Sequence, residues 1–155
     1  MKELLEKQKT MFISSLDENN LPQASYAPYV MIEDRVYIYI SEVAEHYRNL
    51  ERNENVAFMM IEDESFSENL FVRKRVSFRG KAKKILDVPE DIKKKFEAIH
   101  GENMMNLLYK MDFKFFEINI TRGRLVEGFG KAFDLSYENG KWKRESVSSE
   151  KVNHR

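Results

Sequence analysis

The sequence predicts a mainly β protein of the α+β class, with six or so strands and short helices closing into a small antiparallel barrel. Three observations carry this expectation. Apolar residues recur with a period of two in short stretches, most clearly over Arg35–Ser41, where Val36, Ile38 and Ile40 alternate with Tyr37 and Tyr39. Turn signals such as Asp17-Glu18-Asn19-Asn20 and Glu138-Asn139-Gly140-Lys141 separate these stretches. The 155 residues suit one domain, and a chain of that length buries roughly 70% of its unfolded surface.

The elements follow in order. Leu4, Leu5 and Gln8 stand at helical spacing and predict a short helix over Met1–Lys9. Met11–Leu16 is an apolar strand, and Ala24–Ile32 is a second, in which Pro28 marks an edge or a bulge. After the tight Glu33-Asp34 turn, Arg35–Ser41 is the third. Ser41 is placed to cap a helix running through His46 to Leu50, with Glu42 and Glu45 in its first turn. Asn55–Glu62 is nearly continuous in apolar residues, as a strand buried on both faces would be. Leu70–Ile85 reads as a long basic strand with a bend at Gly80. Pro89–His100 is a helix with Pro89 in its first turn and Gly101 at its end, and Glu102–Lys110 is a second helical segment. Phe113–Ile120 and Arg124–Leu135 are two further strands joined through Gly123. Glu138–Trp142 is a hairpin-type turn. From Arg144 the chain is polar, with order to be supplied by a partner. The expected organisation is a barrel domain over residues 1–140 and a tail over 141–155. Barrels this small often close their apolar surface by dimerising.

Composition narrows the function. Lysine and arginine balance aspartate and glutamate to a formal net charge of zero, which argues against a protein that coats nucleic acid or anionic membrane. The absence of cysteine excludes disulfides, thiolate metal sites and a cysteine nucleophile. No apolar run approaches the roughly 20 residues that span a bilayer. The charged opening Met1–Lys7 lacks the apolar core of a signal peptide, so the expected location is the cytoplasm.

Five places could carry chemistry. On a strand, Arg73, Arg75, Ser77 and Arg79 share one face and Lys74, Val76 and Phe78 the other. Guanidiniums in such a row suit phosphate or carboxylate, unless they pair with Glu62, Asp63 and Glu64. His46 is either a ligand and proton donor or, more commonly, a packing residue at an element boundary. His100, at a helix end, complements the helix dipole and is assigned no chemistry. Gly128 and Gly130 bracket Phe129, which permits a bulge, a strand kink or a close backbone approach to a flat ligand. Asp112, just ahead of a strand, is a turn acceptor or the orienting partner of an imidazole. His154, the next-to-last residue, is idle if the tail is solvated and a ligand for iron or zinc if the tail reaches over a cofactor. No nucleophilic triad, HExxH pair or P-loop is present, so any reaction belongs to a bound cofactor.

Six blocks, taken together, resemble one family. They are Ser25–Val30, Glu45–Leu50, Met60–Glu64, Leu70–Phe78 with its Arg73-Lys74-Arg75, Met111-Asp112-Phe113 and Gly128-Phe129-Gly130-Lys131-Ala132. In this order, across about residues 10 to 135, they resemble the haem-utilisation oxygenases of the HugZ/HutZ kind, within the pyridoxamine-phosphate-oxidase-like, FMN-binding split-barrel group. The resemblance implies a homodimer of six-stranded antiparallel split β-barrels with haem at the subunit interface. It implies that His154 ligates the iron, that Asp112 hydrogen-bonds to that imidazole across the dimer, and that Arg75 lies on the distal side. Arg73 and Lys74, with Gly128, Phe129 and Gly130, are then cofactor-binding candidates. The implied reaction uses O2 and electrons from an unidentified donor to open the porphyrin ring of haem and free its iron. Two alternatives stay open: an FMN-dependent oxidoreductase of the same fold, with Arg73, Arg75 and Lys81 holding phosphate, and a non-enzymatic haem-binding or storage protein.

Overall fold

The computed structural model describes residues 1–147. Its strands are β1 (Thr10–Leu16), β2 (Pro22–Ile32), β3 (Arg35–Ser41), β4 (Asn55–Ile61), β5 (Arg75–Ile85), β6 (Phe113–Gly128), β7 (Lys131–Glu138) and β8 (Lys141–Ser146). Its helices are α1 (Lys2–Lys7), α2 (Glu45–Arg52), α3 (Glu90–His100) and α4 (Glu102–Leu108). The sheet runs β3-β2-β1-β4-β5-β6-β7-β8, and an additional pairing of β3 with β6 closes its first six strands into an antiparallel barrel. The first half of β6 pairs with β3 and its second half with β7, while β5 runs along its other edge. β7 and β8 thus leave the barrel as a flap. No helix among the described residues is long and apolar enough to cross a membrane.

The period-two pattern is realised as two cores. Val36, Ile38 and Ile40 point into the barrel beside Phe58, Val76 and Phe116. Tyr37 and Tyr39 face outward and are buried too, because α3 and α4 cover that side with Ile92, Phe96 and Met105. Tyr39 stacks on Phe115 at 4.0 Å between ring centroids. β4, by contrast, is fully buried on one face only; Ala57, Met59 and Ile61 on its other face are half-buried. Pro28 sits where β2 changes partner, from β1 to β3, which lets it lie inside a strand without a lost ladder bond. The bend expected at Gly80 is a register shift between Arg79 and Gly80.

Further expectations are corrected. Leu70–Val72 forms a 3-10 turn and β5 begins only at Arg75, because the Asn69 side chain accepts the Phe71 N–H at 2.9 Å and captures the backbone locally. α2 starts at Glu45 with Ala44 at its N-cap and no side-chain cap, because Ser41 lies three residues too early; its hydroxyl accepts the Val43 N–H at 3.3 Å and bonds to Asp112 instead. Gly123 does not join two strands. It lies inside the continuous β6 opposite Phe78, whose ring would stand 2.7 Å from an added Cβ. Arg124–Leu135 is interrupted after Gly128, where Phe129 and Gly130 turn the chain with Gly130 at φ 67°. The sheet also runs past residue 140 to Ser146, because Trp142 packs on Tyr137 and Phe78 and ties β8 to the core.

Candidate functional site

One cluster forms at the start of β5. Arg73 Nε donates to the Glu62 carbonyl at 2.5 Å, and the Glu62 N–H donates to the Lys74 carbonyl at 2.9 Å. Asp63 accepts from the Ser65 hydroxyl and N–H, which hold its carboxyl below the usual range, and the Arg73 charge lowers it further. Arg75 is half-buried, and its Nη1 donates to the Arg73 carbonyl at 2.9 Å; among the described residues no other hydrogen bond takes its remaining N–H donors. Lys74 is exposed.

Sheet register builds a surface around Arg75. Arg75 stands opposite Val126, and Val126 opposite Ala132. The Gly128–Gly130 turn lies just beyond, with Phe129 exposed. The adjacent row across the outer face is Tyr26, Phe12, Met59, Ser77 and Arg124. Phe12 and Tyr26 are 55% and 57% exposed, which leaves an apolar surface next to a cationic one. Such a pairing suits a ligand or partner with an apolar body and anionic groups.

Asp112 occupies a second cluster, between α4 and β6. The Ser41 hydroxyl lies 3.1 and 3.2 Å from its two carboxylate oxygens, and the Glu42 N–H donates to its main-chain carbonyl at 3.0 Å. The carboxylate is half-buried and retains lone pairs to accept a further N–H. Met104, Leu107 and Met111 present exposed apolar side chains nearby in sequence.

The structure brings Arg73, Lys74, Arg75 and the Gly128–Gly130 turn to one end of the sheet and places Asp112 at the other. Arg75 pairs near the end of β6, whereas Asp112 immediately precedes its start, and a strand of 16 residues has a contour of roughly 50 Å. Lys81 is likewise set apart from Arg75 along β5, about 20 Å away at strand rise. It donates to the Asn55 side chain. His154 lies outside the described residues. Among the described residues no group of three or more His, Asp or Glu side chains is arranged to hold a metal ion.

The other two histidines are placed by the fold. His46 Nδ1 shares a hydrogen bond of 2.9 Å with the Ser25 hydroxyl, and burial holds its imidazole below the ordinary range. His100 Nε2–H donates to the Tyr29 carbonyl at 2.8 Å, beside the Phe96 ring. Ser41 is the residue that sequence reasoning missed. The sequence offered it only as a helix cap; its place directly across from Phe113 arises when β3 pairs with β6 and carries no local sequence signal.

A closed six-stranded barrel whose long sixth strand carries a flap defines the class, and the chain belongs to the pyridoxamine 5'-phosphate oxidase family, which residues 1–127 match. Within that family it is of the HutZ type. It is 34% identical to the heme oxygenase HutZ of Vibrio cholerae over 139 residues, 88% of this chain and 79% of the relative. Among solved structures, Campylobacter jejuni ChuZ matches with a TM-score of 0.81 at 33% identity, covering 94% of this chain and 60% of ChuZ. The chain thus spans less than two thirds of ChuZ. HutZ from Vibrio cholerae, described with its structure as a heme storage protein, matches with a TM-score of 0.77 at 31% identity, covering 82% of this chain and 92% of that one.

Proposed function

We propose that this protein binds haem between two subunits of a homodimer and opens the porphyrin ring, releasing iron. The observation that carries the reading is the separation of Arg75 from Asp112 together with the place where the tail departs. The Val147 N–H donates to the Ala132 carbonyl at 2.9 Å, in the same row as Val126 and Arg75. His154 follows seven residues later, a reach of at most about 25 Å. That range serves a ligand beside its own Arg75, while Asp112 of the same subunit stands at the far end of β6. A second subunit supplies the missing carboxylate.

The residues fit haem. Arg75 has free donors beside an apolar surface, and Asp112 has free lone pairs held in place by Ser41. Haem iron supplies O2 binding and activation when electrons arrive from a separate donor. His154 would hold the iron, and the partner subunit's Asp112 would fix its tautomer and raise its donor strength. Arg75 would stabilise negative charge developing next to its guanidinium or order a proton-delivering water. Arg73, occupied with Glu62, is left to shape the loop. Lys74 and the Gly128–Gly130 turn flank the ligand.

Haemin titration tests the reading. The full chain is expected to give a histidine-ligated Soret band, which His154→Ala weakens or abolishes. With reductant and O2 the band should decay to a linear tetrapyrrole. A persistent band would favour storage, the role named for the solved Vibrio cholerae HutZ. A yellow protein that releases flavin on denaturation would overturn haem in favour of FMN.

A further inference from the structure

A cavity of about 650 Å³ lies between α1, α3, the end of β2 and the β8 indole, within the range of about 300–1,000 Å³ typical of small-molecule sites. Neither Arg75 nor Asp112 lines it. Its walls are apolar where Leu5, Tyr29, Met31, Ile99 and Trp142 face it, and Lys2, Lys9 and Lys95 are among its lining residues.

The walls are fixed by side-chain bonds to the main chain of neighbouring elements. The Tyr29 hydroxyl donates to the Leu5 carbonyl at 2.7 Å and lies 3.1 Å from the Gln8 carbonyl, which fastens α1 over β2. His100 Nε2–H donates to the Tyr29 carbonyl, and Lys95 Nζ to the Met31 carbonyl, which fastens α3 to the same strand. The space is therefore built into the fold.

Charge selects the occupant. Of the two carboxylates in the lining, Glu6 sits 4.0 Å from Lys2 on the same helix and is answered there. Lys9 and Lys95 then outnumber Glu33, and Lys95 keeps two N–H donors after its bond to Met31. An apolar chamber with excess ammonium charge favours a molecule with an apolar body and an anionic head. We propose that this cavity is a second ligand site, separate from the haem site, for an amphipathic carboxylate.

Trp142 is the sole tryptophan of the chain and lines the cavity, so its emission reports occupancy directly. The experiment titrates the full chain with decanoate, and with 1-decanol as the uncharged control, following Trp142 fluorescence. Decanoate is expected to change the emission saturably, with 1-decanol weaker by roughly tenfold, the worth of about 1.4 kcal/mol of charge recognition. Lys9→Glu combined with Lys95→Met, and separately Ala98→Phe on the α3 wall, should each weaken decanoate by a similar factor while far-ultraviolet circular dichroism stays that of the parent. The haemin Soret titration should be unchanged in both variants, which separates this site from the haem reading. No saturable change, equal response to decanoate and 1-decanol, or undiminished affinity in both variants would overturn the proposal.

Discussion

The Ser41 hydroxyl sits between the two carboxylate oxygens of Asp112, 3.1 Å from one and 3.2 Å from the other. It joins the end of β3 to the residue that opens β6, at a point where the two strands are already in register through Ser41 and Phe113. The contact fixes the rotamer of Asp112 and leaves lone pairs for another donor. Ser41→Ala should therefore slow the proposed ring opening by roughly 13-fold, as expected for loss of about 1.5 kcal/mol, the low end for a hydrogen bond to a charged group. Haemin affinity should change less, and Ser41→Thr should restore the rate. Stopped-flow decay of the Soret band, compared with equilibrium haemin titration, separates the two effects.

His46 gives the fold an acid sensitivity. Burial lowers its folded-state pKa, so below about 6.5 the unfolded chain takes up a proton that the folded chain resists. The stability it contributes is complete above that pH and falls as the pH drops toward the folded value. Urea midpoints measured from pH 7.5 to 5 should decline for the parent chain, and the decline should be shallower in His46→Gln.

Gly123 leaves room for the Phe78 ring, which would lie 2.7 Å from an added Cβ. Gly123→Ala should destabilise the fold by about 1–3 kcal/mol through overpacking, lowering Tm by roughly 5 °C. Adding Phe78→Leu should recover part of that loss, because the two residues are directly cross-strand and their effects couple. Calorimetry of the three variants measures the coupling.

The outer face that carries Phe12, Tyr26 and Met59 is the surface on which the proposed homodimer would close. Phe12→Asp should shift the protein from dimer to monomer in light scattering and abolish haemin binding together with it. A monomeric parent chain would contradict the account at this step.

Much of the fold was legible because period-two burial survives packing. The residues Val36, Ile38 and Ile40 announced a barrel wall, and Gly80 announced its bend. Departures occurred where a single side chain decides the local backbone. Asn69 diverts Leu70–Val72 into a turn, and Gly123 makes space for a ring rather than ending a strand. Of the candidate site, Arg75 and its outward face could be read from strand alternation, since Val76 and Phe78 are buried opposite. The link between Ser41 and Asp112 could not, because it joins residues 71 apart through barrel closure. Nor could the separation of Asp112 from Arg75, which depends on β6 being one strand.

Mixed dimers test the cross-subunit site most directly. Asp112→Ala and His154→Ala chains, each expected to lose haem degradation alone, are co-expressed with different tags and the mixed dimer is purified. One of its two sites then combines an intact His154 with the partner subunit's intact Asp112, so the account predicts haem degradation at about half the wild-type rate per dimer. A verified mixed dimer with no more activity than either variant alone would place both groups in one subunit and contradict it.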